Sequence, residues 1–258
     1  MFFLINRKLL SPEKWFALFA TIAILSSVGI TLDLLYAHRF FIFNNPESIC
    51  GILINKIPVE EFVFYITGFW FILFVYVFCD EWFLSKYNVP DEDYARYRAV
   101  LKFKFVLHLK SLWIVPVLIV IGTLLKRMIN PGGDFIPGYF SFLVIVAYVP
   151  AFLFFNVTRY FVNWRSFLFS MMLTIIISIT WEVTLAIPNG YWLYNKGAML
   201  GIFIKTWHDL PIEAVTVWVF STLIILVYEF LKICYFTPQP SVPGYRILLK
   251  MGKESKHI

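Results

Sequence analysis

Long apolar blocks separated by short polar stretches dominate the chain. Six stand out, at 15–37, 58–79, 108–125, 138–157, 166–187 and 211–231. Each approaches the ~20 apolar residues that a helix needs to cross a bilayer. The third is the weakest, because His108 and Lys110 open it and Pro116 lies inside it. Proline is tolerated in such a helix where neighbours satisfy the freed carbonyl. The first block starts at Trp15, is too long for a signal-peptide core and has no A-x-A-like cleavage site, so it reads as a retained span. The pattern predicts an all-α, polytopic membrane bundle of about six transmembrane helices, with short loops and no large soluble domain.

Composition sharpens this. Of 258 residues, 60% are apolar, 20% aromatic and 15% charged, whereas a soluble domain carries nearer a quarter charged residues. This much Phe, Trp and Ile also excludes disorder, collagen and coiled coil. The net charge of +6 sits on bases flanking apolar blocks, which marks topology and anionic lipid rather than nucleic acid. Lys and Arg number fifteen on the side holding the N-terminus, the 80–107 segment, Arg159, Arg165 and the tail, against six on the other side. Both termini are therefore expected in the cytoplasm, with the chain integral to the cell (inner) membrane. The mixed-sign 80–107 segment reads as a solvated amphipathic piece. Cys50, Cys79 and Cys234 form no CxxC and no disulfide framework.

The ionisable residues inside the blocks are nearly all acids: Asp33, Glu60, Glu61, Glu182, Glu213 and Glu229, with Lys110 the one base. A carboxylate within a membrane helix costs about 3 kcal/mol, so such residues are functional candidates. The first five fall near one membrane face, the non-cytoplasmic one; Glu229 lies at the opposite end and is expected to reach the cytoplasmic interface. Pro58-Val-Glu60-Glu61 and Pro211-Ile-Glu213 also suit helix N-termini, where Pro fits the first turn and Glu complements the dipole. Asp33 and Glu182 sit near C-terminal ends, where the dipole opposes a negative charge, so each needs a partner or a proton.

The two ends of the chain also resemble each other. Ile30-Thr-Leu-Asp33, Phe40-Phe-Ile-Phe-Asn44, Gly51-Ile-Leu-Ile54 and Pro58-Val-Glu60-Glu61 return as Ile179-Thr-Trp-Glu182, Tyr191-Trp-Leu-Tyr-Asn195, Gly201-Ile-Phe-Ile204 and Pro211-Ile-Glu213-Ala214. The order is kept, and Trp207-His208-Asp209 lengthens the second loop by three residues. The chain divides into a first repeat (15–82), a polar loop with linking helices (83–165), a second repeat (166–232) and a basic cytoplasmic tail (233–258). Both copies start on the cytoplasmic side, so the repeat is parallel, about an axis along the membrane normal. The acids of both copies then converge on one cavity, closed by the loops 38–57 and 188–210.

A carboxyl in a dry site beside others holds its proton and is an acid toward a carbon–carbon double bond. The resulting cation is stabilised by aromatic faces. Phe62, Phe64, Tyr65, Trp70, Trp181, Trp192, Tyr194 and Trp218 are close enough in sequence to line the site. A second carboxylate accepts the final proton, which gives a redox-neutral cyclisation of a polyene. No nucleotide-binding motif, paired-His metal spacing or nucleophile elbow is present. His208 lies beside the motifs of the second repeat, where a loop position at the interface is the simpler reading and proton delivery the bolder one.

An aromatic-Asn loop, a Gly-Ile-x-Ile stretch and a Pro-x-Glu-Glu helix start, in tandem, resemble the membrane-integral lycopene cyclases, the carotenoid cyclases of heterodimeric or fused type. The likeness covers roughly 15–82 and 166–232. It implies closure of the acyclic ends of lycopene or a related carotenoid, a reaction that as written needs no redox equivalent, so no cofactor or metal is expected. It also implies a hydrophobic polyene as substrate, the bilayer as surroundings and association with other enzymes of the carotenoid pathway. The motif maps onto Glu60, Glu61 and Glu213, with Asp33 and Glu182 as supporting acids; Asn44, Asn195, Trp192 and Tyr194 of the aromatic-Asn loops, with Phe64, Trp181 and Trp218 close to the motifs in sequence, are the candidates for substrate binding. On this basis Glu60→Gln is expected to abolish ring formation. Ala214, where a second Glu is common, makes the copies unequal. Two other classes fit the same features: a membrane terpenoid cyclase or a carotenoid hydratase, distinguished by product mass, and a non-enzymatic proton-coupled transporter or polyene-binding protein.

Overall fold

The computed structural model describes residues 10–43, 45, 49–101, 109–131 and 134–236. Asn44, His108 and most of the basic tail lie outside the described residues. The chain is mostly helical, and five helices are long and apolar enough to cross a membrane. They are α1 (Pro12–Phe40), α2 (Val59–Phe83), α5 (Gly138–Thr158), α6 (Trp164–Ala186) and α7 (Ile212–Tyr235). Two shorter helices intervene, α3 (Asp91–Leu101) and α4 (Ile114–Ile129). The third predicted span corresponds to α4, which has 16 residues. At ~1.5 Å per residue it is roughly 24 Å long, short of a ~30 Å hydrocarbon layer.

Local chemistry sets the helix starts. Ser11 caps α1, its side chain accepting from the Lys14 N–H, and Pro12 takes the first turn. Asn163 caps α6 in the same way through the Ser166 N–H. The last turn of α6 widens into a π-type turn over Glu182–Ala186, a distortion common at functional positions.

Helices α1, α2, α6 and α7 pack as a bundle: α1 on α2, α2 on α6, α6 on the first half of α7, and the second half of α7 on α1. Helix α5 packs outside them against α7. Leu18, Ile22, Ile72, Leu73, Phe167 and Ile225 form the core at one end, and Phe40, Tyr139, Leu143, Met199 and Phe220 at the other. Outward faces expose large apolar side chains such as Phe16, Ile24, Leu35, Met128 and Ile176, a surface suited to hydrocarbon rather than water.

Three two-stranded antiparallel ribbons lie between the helices. Strand β1 (Phe41–Ile42) pairs with β4 (Leu193–Tyr194), which ties the loop after α1 to the loop after α6. Strands β2 (Leu53–Ile54) and β3 (Ile57–Pro58) form a hairpin leading into α2, and β5 (Phe203–Ile204) and β6 (Leu210–Pro211) form one leading into α7. The first turns through Asn55 and Lys56, both with positive φ (51° and 64°), as a two-residue hairpin turn requires. The second ends its longer turn on His208 and Asp209, with φ of 54° and 57°. His208 is an exposed turn residue. Since a left-handed φ costs a side-chain-bearing residue roughly 1–2 kcal/mol, and β-branched residues suffer most, Lys56→Val should lower thermal stability and Lys56→Gly should not. Unfolding midpoints of the purified variants test this.

The end of the bundle away from these hairpins holds a buried ionic network. Glu229 is fully buried and accepts hydrogen bonds from Tyr76 (2.8 Å), Tyr94 (2.5 Å) and Lys232 (3.2 Å). Lys232, also fully buried, donates to the Tyr94 hydroxyl at 2.8 Å and stands 3.9 Å from Asp80, whose other oxygen accepts from Asn163. Lys14 pairs with Glu81 (2.7 Å) and Asp91 (2.8 Å). Burial, reinforced by Glu229, raises the Tyr94 phenol well above its usual range, so it stays a donor. The structure thus corrects two expectations. Glu229 is enclosed rather than interfacial, because α3 from the mixed-sign segment folds over it. Lys110 is not the one base, because α1 and α7 extend far enough to take in Lys14 and Lys232.

Candidate functional site

At the hairpin end, α1 and α6 finish where α2 and α7 begin, which brings carboxyls from three helices together. Asp33 comes from the last turns of α1, Glu61 from the first turn of α2 and Glu182 from the π-type turn of α6. Glu61 is within electrostatic reach of both others. Asp33 and Glu182 are 5% and 2% exposed. The Tyr65 hydroxyl donates to Asp33 at 3.0 Å, and the Tyr194 hydroxyl donates to Glu182. The Tyr65 ring reaches α1 only because residue 29 is Gly; a Cβ there would stand 2.8 Å from the ring. Burial, then the charge of Glu182, raises the Tyr194 phenol well above its usual value and keeps it a donor. Among the described residues the Glu61 side chain has no hydrogen-bond partner, and it lines open space instead.

That space is two cavities sharing Glu61, Phe64 and Trp192 as a common wall. One, of about 120 Å³, is lined by Tyr65, Tyr139, Glu182, Tyr194 and Trp218 among others. The other, of about 190 Å³, is lined by Pro58, Glu60, Trp181 and Tyr191 among others. Phe64 is the hub of an aromatic box: its ring centroid lies 5.6 Å from Trp181, 6.0 Å from Trp192 and 5.6 Å from Trp218, and Trp181 lies 5.2 Å from Trp192. Pockets for whole drug-sized ligands measure roughly 300–1,000 Å³, so each cavity suits the end of a long molecule rather than all of it.

Asp33, Glu61, Glu182, Phe64, Trp181, Trp192, Tyr194 and Trp218 are therefore gathered at one site. Glu60 and Glu213 are not part of the acid cluster. Glu60 is exposed and accepts from the Cys50 N–H at 2.5 Å; Glu213, fully buried, accepts from the Leu200 N–H at the same distance. Each holds its own hairpin to the helix that follows, beside matching backbone bonds from Val59 to Ile52 and from Ile212 to Ile202. By this register Glu61 aligns with Ala214, which is fully buried. Glu60→Gln keeps a carbonyl acceptor for Cys50, so the hairpin should hold and the unfolding midpoint of the purified variant should stay close to wild type.

Asn195 secures a loop rather than lining either cavity: its side chain donates to the Arg39 carbonyl at 2.9 Å. Asn45, next to Asn44, makes the reciprocal contact, donating to the Asn189 carbonyl at 2.6 Å. Tyr139, at the start of α5, is a residue the motifs did not indicate. It is buried and lies within electrostatic reach of Asp33, Glu61, Glu182 and Glu213. It lies outside both repeat units; its one signal in the sequence is a Tyr opening a span on the same face as the acids. Among the described residues no group of three or more His, Cys, Asp or Glu is arranged to hold a metal.

No protein-family model, curated protein or solved structure matches the chain.

Proposed function

We propose that this chain is a membrane-integral cyclase that closes the acyclic end of a polyene, lycopene or a related isoprenoid, by redox-neutral proton transfer. One observation carries the reading: Glu61 and Glu182, from separate helices, line aromatic-walled cavities sized for a chain end, and buried Asp33 stands within electrostatic reach of Glu61. The acid protonates the terminal double bond and leaves a tertiary cation. The internal alkene attacks that cation, forming the ring's new carbon–carbon bond and moving the charge into the ring. Loss of a ring proton to a carboxylate restores a double bond, and the product is an isomer of the substrate. Glu61 is the proposed donor, because its side chain faces the cavities with no competing partner. Asp33 and Glu182, each held by a tyrosine hydroxyl, are the proposed bases. Faces of Phe64, Trp181 and Trp218 stabilise the cation.

The same proposal includes a duplicated architecture. It is supported by the paired hairpins with their identical Glu-to-backbone bonds and by the reciprocal Asn contacts. With Ala214 opposite Glu61, the two units share one acid cluster instead of two. The lysine and arginine bias supports cytoplasmic termini, which puts the acids toward the outer face. To test the function, membranes containing the protein are incubated with lycopene and with a hydroxylated acyclic isoprenoid. An isomeric ring product from either supports the proposal; no change in both, with the protein present, contradicts it.

A further inference from the structure

Gly68 lies in the interior of α2, where glycine is less stable than alanine because its backbone has more freedom to lose. Two other helical glycines have a packing reason. A Cβ at Gly29 would stand 2.8 Å from the Tyr65 ring, and one at Gly122 would stand 2.6 Å from the Phe140 ring. A Cβ at Gly68 would meet nothing within 4 Å. Close approach of two helices, a common use of small residues in membrane bundles, is therefore not its role.

The space beside it belongs to the smaller cavity. Glu61, Phe64, Tyr65, Gly68 and Ile72 all line that cavity, and their spacing of three and four residues puts them on one face of α2. Val63, Ile66 and Trp70, on the opposite face, are exposed. Gly68 lies two turns, ~10 Å, along the helix from Glu61, and buried Ile72 follows one turn further. The missing side chain leaves room where the chain of a ligand would lie once its end sits at Glu61. We propose that Gly68 is a specificity-determining residue: its bare backbone floors the part of the cavity that receives the chain behind the reacting end, so that the site admits a long isoprenoid. The proposal rests on reading the cavity as the substrate site, with Glu61 at the reacting end.

The test pairs stability with binding, because the proposal predicts opposite signs for the two. Gly68→Ala should melt no lower than wild type and is expected about 2–4 °C higher, since alanine favours the helix and meets no neighbour. A lower midpoint would show that packing needs the glycine and would overturn the proposal. Equilibrium binding is then measured on the full chain in lipid nanodiscs, with lycopene and geranylgeraniol as probes. Gly68→Leu should bind the probes that wild type binds roughly tenfold more weakly, because its side chain takes the space the ligand needs. Thr67→Leu adds the same side chain one residue earlier, at an exposed position outside the cavity lining, and should bind as wild type does. Gly68→Met, with a more flexible side chain, repeats the measurement if Gly68→Leu does not fold. Binding of neither probe by wild type overturns the proposal, as do wild-type affinity in the bulky variants and an equal loss in Thr67→Leu. Binding requires no turnover, so the outcomes separate. Weakened binding in Gly68→Leu, with no ring product from wild type, upholds the role of Gly68 and refutes the cyclase; ring product formed at wild-type yield by Gly68→Leu does the reverse.

Discussion

Glu61→Gln is expected to lower ring formation by roughly 10²–10⁴-fold, the range that a positioned general acid contributes, while the protein remains in the membrane. The substitution keeps the size and one acceptor of the side chain and removes only the transferable proton. It disturbs no hydrogen bond seen at Glu61, because that side chain has none among the described residues. The prediction differs in kind from those for its neighbours. Asp33→Asn and Glu182→Gln also alter contacts with Tyr65 and Tyr194, so a loss of activity in them mixes chemistry with geometry. At Glu61 the two are separate. Product yield at matched protein level is the measurement, and wild-type yield from Glu61→Gln would remove the residue from the mechanism.

The second large effect lies at the opposite end of the bundle. Lys232→Met should destabilise the protein by roughly 3–5 kcal/mol, the cost of leaving buried charge without its counter-charge. Asp80 and Glu229 would then face each other across a dry interior, joined only through neutral tyrosines and Asn163. Overall stabilities of roughly 5–15 kcal/mol make such a loss severe. The unfolding midpoint in detergent should fall sharply, and Lys232→Met/Glu229→Gln should recover part of it by removing one of the stranded charges. An unchanged midpoint in the single variant would show that the network contributes little. The site itself lies at the other end, so folded Lys232→Met protein should keep its ligand preferences.

The parts of this structure legible in the sequence are those fixed by bulk partitioning. Blocks at 58–79 and 166–187 became Val59–Phe83 and Trp164–Ala186, because a predominantly apolar stretch of about 20 residues has few alternatives to a helix in hydrocarbon. Clustering of Asp33, Glu61 and Glu182 followed from depth, since each sits near the same end of its span. What was not legible depends on contacts between distant segments. Glu60 and Glu61 are adjacent and chemically alike, yet Glu60 is exposed and engaged by the Cys50 N–H at the rim of one cavity, whereas Glu61 lines both cavities and stands beside Asp33 and Glu182. The sequence around Glu229 points to an interfacial acid, because nothing local shows that Tyr94, 135 residues away, covers it. Tyr139 belongs to neither repeated unit, so no motif pointed to it. The hairpin strands are two residues long, too short for any alternation to register; only the positive-φ pairs Asn55-Lys56 and His208-Asp209 mark their turns.

The central claim is that a proton from a carboxyl begins the reaction and that nothing else is added or removed. Turnover in deuterated water tests it most directly, because carboxyl protons exchange with solvent. The account predicts a ring-bearing product isomeric with its substrate, carrying one deuterium per ring at the carbon that was protonated. A ring product without that label, or a product heavier by the elements of water, would contradict it.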